Sequence, residues 1–231
     1  MKKVTLIVTA CDRNDLLERT LTSFIKYNTY PIEKMVIRDD SGLKEVYKEM
    51  VNLLIEMNTP FPLEIHPTEQ KGQARSIDFL MSRVETPYVF HCEEDWEFYR
   101  PDFIQKSMEI LEENDKISHV WIRPPEGMNH PVWMSDQYHT IKNNYPYRLV
   151  KRSNHTNAWS FNPHLARMKD YIKPYTKIIK EAKFGEDAIG KFYKKLGFET
   201  AWLIEGYCKH IGEAKSTYRP GTPYREKAKK I

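Results

Sequence analysis

The stretch Thr86-Pro87-Tyr88-Val89-Phe90-His91-Cys92-Glu93-Glu94-Asp95-Trp96-Glu97-Phe98 decides how the chain is read. Pro87 opens a short apolar run, Tyr88-Val89-Phe90, which reads as a buried strand. Three acids end it, and carboxylates at such a place are costly to bury unless something positive meets them. Side chains alternate along an extended chain, so Glu93 and Asp95 are expected on one face and Glu94 on the other. Two oxygen donors on one face suit a hard divalent cation, Mn²⁺ or Mg²⁺, with coordination left over for phosphates. A solvated acidic turn is the plainer alternative.

Working outward, residues 4–10 form a continuous apolar and β-branched run, as expected of a strand buried on both faces. Residues 15–27 carry Leu16, Leu17, Leu21, Phe24 and Ile25 at helical spacing. A strand over 34–38 ends in Asp39-Asp40-Ser41-Gly42, and helix is predicted for 43–57, strand for 61–66 and helix for 73–84. The alternation up to the strand at 88–92 predicts an α/β fold, a mostly parallel central sheet with helices on both faces. Ligands bind such sheets beyond the carboxyl ends of the strands, and Asp12-Arg13, Asp39-Asp40 and Glu93-Glu94-Asp95 all fall at that edge.

Further on the spacing predicts a helix over 102–113, a strand over 117–122, and a long loop over 123–147 rich in Pro, Asn, His, Met and Trp. Helices are expected at 163–171, opened by Pro163, and at 186–196, stopped by Gly197. Short strands follow at 199–204 and 207–211, and residues 215–231 read as a basic, mobile tail. No repeat or linker divides the chain, so residues 1–214 read as one domain, nucleotide-binding up to about 100 and acceptor-binding beyond.

The 231 residues suffice for one large core, and the net charge of +4 is too mild for a nucleic-acid binder. Cys11, Cys92 and Cys208 are far apart without paired spacing, which suits a reducing compartment. The apolar run after Lys3 is too short for a signal peptide or a membrane span. A cytoplasmic protein is therefore expected, with peripheral membrane contact through the basic tail left open and the oligomeric state undetermined.

Five stretches taken together resemble the GT-A nucleotide-diphospho-sugar glycosyltransferases, most closely family 2. They are Val8-Thr9-Ala10-Cys11-Asp12-Arg13-Asn14, Val36-Ile37-Arg38-Asp39-Asp40-Ser41-Gly42, Lys71-Gly72-Gln73-Ala74-Arg75-Ser76-Ile77-Asp78, Glu93-Glu94-Asp95, and Gly185-Glu186-Asp187 leading to Gly197. Each is weak alone, and their order and spacing are fairly specific. The chain departs from the pattern in having Glu93 where the first Asp is usual and Asp78 where Asn is common.

The resemblance implies a metal-dependent, inverting transfer from a nucleotide-diphospho-sugar, with UDP first and GDP or dTDP as alternatives, to a glycan or glycolipid hydroxyl. It implies nucleotide contact at Ala10, Asp12, Arg13, Asp39, Asp40, Gly72, Arg75 and Glu94, although Asp39 and Asp40 also suit turn capping. Asp95 and Glu93 are the expected metal ligands, and His210 is a third candidate that favours manganese. Asp187 is the expected general base, with Glu186 beside it, although acids are favoured in the first turn of any helix. Trp96 and Trp159 are candidate platforms for the sugar or acceptor. The alternatives are a sugar-binding domain without catalysis and a nucleotidyltransferase. The latter usually has a glycine-rich loop after its first strand, and Thr9-Ala10-Cys11-Asp12-Arg13 contains no glycine.

Overall fold

The computed structural model describes residues 1–69, 72–125, 132–140, 146–152, 159–171 and 186–212. Strand β1 (Val4–Ala10) is followed by α1 (Asn14–Tyr27), β2 (Ile32–Asp39), α2 (Lys44–Met57), β3 (Leu63–His66), α3 (Gln73–Ser82) and β4 (Tyr88–Glu93). Then come β5 (Trp96–Phe98), α4 (Phe103–Glu113), β6 (Ile117–Trp121), β7 (Val132–Thr140), β8 (Pro146–Arg152) and β9 (His164–Arg167). Helix α5 (Glu186–Lys195), β10 (Glu199–Trp202) and β11 (Cys208–His210) complete the described chain.

Nine strands form one sheet in the order β3-β2-β1-β4-β9-β6-β10-β8-β7, and β11 pairs with β5 apart from it. The β3, β2, β1 and β4 ladders are parallel, as are β6 and β10, and only β9 and β8 run against the rest. The mostly parallel sheet expected from the sequence is therefore present.

Both faces are covered, and the alternation along β1 shows how. Val4, Leu6, Val8 and Ala10 join the core built with Leu17, Leu21 and Phe24 of α1, Met50 and Leu54 of α2, and Phe103 of α4. Ile7 points the other way, into a second core with Ile77, Leu80 and Met81 of α3 and Ile189 and Tyr193 of α5. A strand buried at every position can sit only between two such layers. At the end of α5, Gly197 takes φ +81° and its N–H bonds to Lys194 O at 2.9 Å, while Phe198 N–H reaches Tyr193 O at 3.1 Å. Glycine adopts that left-handed conformation without cost, so the helix stops where the sequence placed the stop.

Two expectations are corrected. Residues 163–171 do not form a helix. His164–Arg167 is a buried strand, antiparallel to β4 on one side and β6 on the other, and Met168–Asp170 is a single 3-10 turn. Leu, Ala, Arg and Met favour helix locally, but ladders on both sides and full burial override so weak a preference. The long loop at 123–147 is also broken by structure, since β7 and the start of β8 form an antiparallel pair there. Its register shifts between Met134 and Tyr138, which erases the alternation that would have marked a strand. The tail at 215–231 lies outside the described residues. No helix among the described residues is long and apolar enough to cross a membrane.

Candidate active site

Parallel pairing sets the site. Ala10 lies opposite Asp39 and Thr9 opposite Glu93, so β2, β1 and β4 end at one level. The chain stays together just beyond them: Asp40 N–H donates to Ala10 O at 2.6 Å and Glu94 N–H to Thr9 O at 3.1 Å. Three acidic clusters far apart in sequence thus meet along one rim. Between them lies a cleft of about 250 Å³, open solvent at its mouth included, walled by Ala10, Arg13, Asp40, Gln73, Glu93 and Glu94 among others.

Strand β4 ends at Glu93, and Glu94 and Asp95 form the turn into β5. The strict alternation assumed for the three acids therefore stops at Glu93. Glu93 receives the Gln73 side-chain amide on one oxygen and Trp96 Nε1 on the other, at 3.4 Å. Glu94 and Asp95 instead share Arg13. Its Nε and Nη2 reach Glu94 Oε1 at 2.8 and 2.5 Å, and its Nη1 reaches Asp95 Oδ2 at 2.8 Å. Cys11 N–H adds a bond to the same Glu94 oxygen at 3.0 Å. Asp12 turns the chain toward this arrangement with φ +52°, in the left-handed region that Asp tolerates better than most residues.

Arg13, Glu94 and Asp95 are 8%, 3% and 5% exposed, so these are buried charges that must be paired. Burial works against the charge on Arg13, but Glu94 and Asp95 outweigh it and raise its pKa. Burial pushes Glu94 up to about 7 against the pull of Arg13. Burial also opposes ionisation of Asp95, yet hydrogen bonding from His210 and the charge of Arg13 prevail and lower its pKa. Glu93 is held well above the ordinary range by burial and by the charges of Asp95, Glu94 and Glu186. Of the three acids, Asp95 carries the firmest negative charge.

Asp95 has further neighbours. His210 Nε2 stands 3.1 Å from its Oδ2, and Ile211 N–H donates to its backbone oxygen at 2.8 Å. Gly212 backs directly onto it, because a Cβ there would lie 2.2 Å from Asp95 Oδ2. The other oxygen, Oδ1, is buried with no hydrogen-bond partner among the described residues. Such an atom is left for a water, an ion or a ligand to satisfy.

The remaining rim acids are tied by hydrogen bonds. Asp39 accepts from Ser41 N–H at 3.0 Å and Ser41 Oγ at 2.7 Å, the capping geometry weighed as its plainer role. Burial raises its pKa, and Asp40 and Asp12 add to the effect against the Ser41 bonds. Asp40 reaches across to α3, accepting Gly72 N–H at 2.9 Å and Ser76 Oγ at 2.7 Å. It fixes the start of that helix to the rim. Arg75 lies exposed in the first turn of α3.

Glu186 opens α5 and accepts Phe161 N–H at 2.8 Å, and its charge is felt at Glu93. Asp187 is the second residue of α5, and its side chain lies outside the described residues. The two tryptophans expected at the sugar are core residues. Trp96 is 2% exposed between Glu93, His210 and Arg123, and Trp159 is 3% exposed and stacked on Tyr193 with ring centres 4.7 Å apart. Neither presents an open face. Sequence reasoning missed Gln73, Thr9, Cys11 and Gly212, and of these only Gly212, just before the basic tail, carried a visible signal.

The family described as glycosyl transferase family 2 matches residues 5–172. Among curated proteins none matches significantly. Residues 1–349 of S. aureus TarS superpose with TM-score 0.62 and 16% identity over 91% of this chain and 60% of that one, and the same fragment is also solved with UDP and with UDP-GlcNAc. The mannosyltransferase PcManGT from Pyrobaculum calidifontis, in complex with GDP-Man and Mn²⁺, gives TM-score 0.62 and 14% identity over 93% of this chain and 58% of that one. GalNAc-T7 with UDP, GalNAc and Mn²⁺ gives 0.67 and 12% over 91% and 44%. This chain spans less than two thirds of the length of each. At such identities the structures speak for the fold, a GT-A fold, and the family match covers most of the sequence. The chain belongs to glycosyl transferase family 2.

Proposed function

We propose that the chain moves a sugar from a nucleotide-diphosphate donor to an acceptor hydroxyl, with the donor's diphosphate seated at the rim beside Asp95. One observation carries this reading: a buried aspartate, paired with Arg13 and with one oxygen that has no hydrogen-bond partner among the described residues, stands where β1, β2 and β4 converge. The structural neighbours solved with UDP, UDP-GlcNAc and GDP-Man support a nucleotide-sugar, and UDP is the first choice.

Asp39 and Asp40, with Ala10 and Asp12 beside them, face the base and ribose. Arg75, in the first turn of α3, serves the phosphates, because a cation at a helix N-terminus favours anions. The donor set at Asp95 fits a divalent ion bound mainly by substrate. Among the described residues no three His, Cys, Asp or Glu side chains are arranged to hold a metal by themselves. Asp95 Oδ1, His210 and Glu93 are the protein ligands on offer, and imidazole favours Mn²⁺ over Mg²⁺. When bound, the ion supplies Lewis-acid stabilisation of the departing diphosphate.

Asp187 takes the proton of the acceptor hydroxyl as that oxygen attacks the anomeric carbon and the bond to the diphosphate oxygen breaks on the opposite side, inverting the centre. Residues up to about 100 form the donor half and the rest the half that receives a glycan or glycolipid acceptor. The test is hydrolysis of UDP-, GDP- and dTDP-sugars with and without Mn²⁺. Turnover of one donor that requires the metal is expected, and no turnover with any donor would point to a binding domain instead.

A further inference from the structure

We infer that Arg13 is the resident cation of the rim rather than a nucleotide contact: it balances Glu94 and Asp95 in the unliganded protein, so that a divalent ion binds well only together with a diphosphate. The inference rests on the reading of the site above and deepens it.

Arg13 spends its donors inward. Nε and Nη2 both serve Glu94 Oε1, and Nη1 serves Asp95 Oδ2. With the guanidinium 8% exposed, a phosphate could reach it only by breaking ionic hydrogen bonds to two buried carboxylates. The pairing also changes what a free ion meets. Glu94 and Asp95 set two acidic groups side by side, and Arg13 offsets the charge they carry. An arriving ion finds Asp95 Oδ1, a guanidinium on the same carboxylate, and among the described residues no third His, Cys, Asp or Glu arranged to complete a cage. At these separations, in a partly buried site, repulsion between a guanidinium and a dication is large. A diphosphate reverses the balance, since it brings oxygen ligands and negative charge together. Arg13 is thus a positioning residue that couples metal binding to donor binding.

Calorimetric titration with MnCl₂ alone and with MnCl₂ in saturating UDP tests the inference on the full chain. In the wild type, UDP should tighten Mn²⁺ binding about tenfold or more. Arg13→Gln should bind Mn²⁺ alone about tenfold more tightly than wild type and show less coupling. Glu94→Gln should weaken binding of Mn²⁺ alone by a similar factor. Arg13→Gln combined with Glu94→Gln keeps the buried charge balanced and should return to within about threefold of wild type. The latter two variants decide the matter if Arg13→Gln alone does not fold. A merely structural role for Arg13 gives no gain in metal affinity, so an Arg13→Gln protein with unchanged or weaker Mn²⁺ binding overturns the inference. So does loss of UDP affinity in EDTA at unchanged Mn²⁺ affinity, which would put Arg13 on the diphosphate. A wild type that couples UDP and Mn²⁺ while Arg13→Gln couples them equally overturns this inference alone. A wild type that binds no Mn²⁺ even with UDP overturns the metal reading as well.

Discussion

Strand β4 carries two buried polar regions only a few residues apart, and they are built oppositely. At its carboxyl end the acids Glu94 and Asp95 keep a cation, Arg13, and several hydrogen bonds. In its middle, His91 meets His164 of β9 with ring centres 5.1 Å apart, and His164 meets His119 of β6 at 5.2 Å. All three imidazoles are fully buried, and His164 Nε2 has no hydrogen-bond partner among the described residues. Burial holds His164 down to about 4, and burial with the neighbouring His164 holds His91 well below its usual value. The difference is one of purpose. Charge is retained and balanced at the rim, and His91 and His164, packed between β4 and β9, are kept neutral as part of the core.

The largest effect should come from removing the chemistry at the rim. Asp187→Asn is expected to lower kcat by about a thousandfold while donor affinity holds, measured by single-turnover transfer beside donor titration. Normal turnover would remove Asp187 from the mechanism.

Next is acid sensitivity from the histidines. A group whose neutral form the fold prefers takes up more protons when unfolded, so its contribution is complete above pH 6.5 and is lost as pH falls toward 4. For His164 the loss is about 3 kcal/mol. Urea midpoints measured across that range should fall with pH, and His164→Leu should flatten the curve. A flat wild-type curve would mean that the imidazoles are not held neutral.

A smaller effect sharpens the rim. In Gly212→Ala the new methyl would stand 2.2 Å from Asp95 Oδ2 and 2.8 Å from Cγ, so the carboxylate must shift. Mn²⁺-dependent UDP affinity should fall about tenfold, with about 1–3 kcal/mol of stability lost to overpacking. The smallest concerns Trp159. Trp159→Phe should lower Tm by a few degrees, about 1–2 kcal/mol, and leave acceptor KM within about twofold. A tenfold rise in KM would return that ring to the sugar.

How much of this could be read from sequence follows the same division. The ends of β1, β2 and β4 were legible because each apolar run stops abruptly in acids, and parallel topology then forces those ends to one level. Why Glu94 and Asp95 tolerate burial was not legible, because Arg13 is over eighty residues away in sequence and its pairing is a tertiary fact. The same holds for Gln73 on Glu93 and for Gly72 and Ser76 on Asp40, where expected ligand contacts turned out to include structural bonds. Beyond β4 the local signal misleads. His164-Leu165-Ala166-Arg167 is too short to display period two and is made of helix formers, so only the ladders on either side reveal a strand. Trp96 and Trp159 showed the limit of residue type as a guide, since aromatic rings fill cores more often than they face ligands.

The central claim is that Asp95 joins a metal and a diphosphate at this rim. It is tested most directly by UDP affinity in Mn²⁺ and in EDTA, for wild type and Asp95→Ala, each checked for folding. Wild type is expected to bind UDP about tenfold or more tightly with Mn²⁺ than in EDTA, and Asp95→Ala to bind equally weakly in both. Metal-enhanced binding that survives Asp95→Ala unchanged would contradict the account.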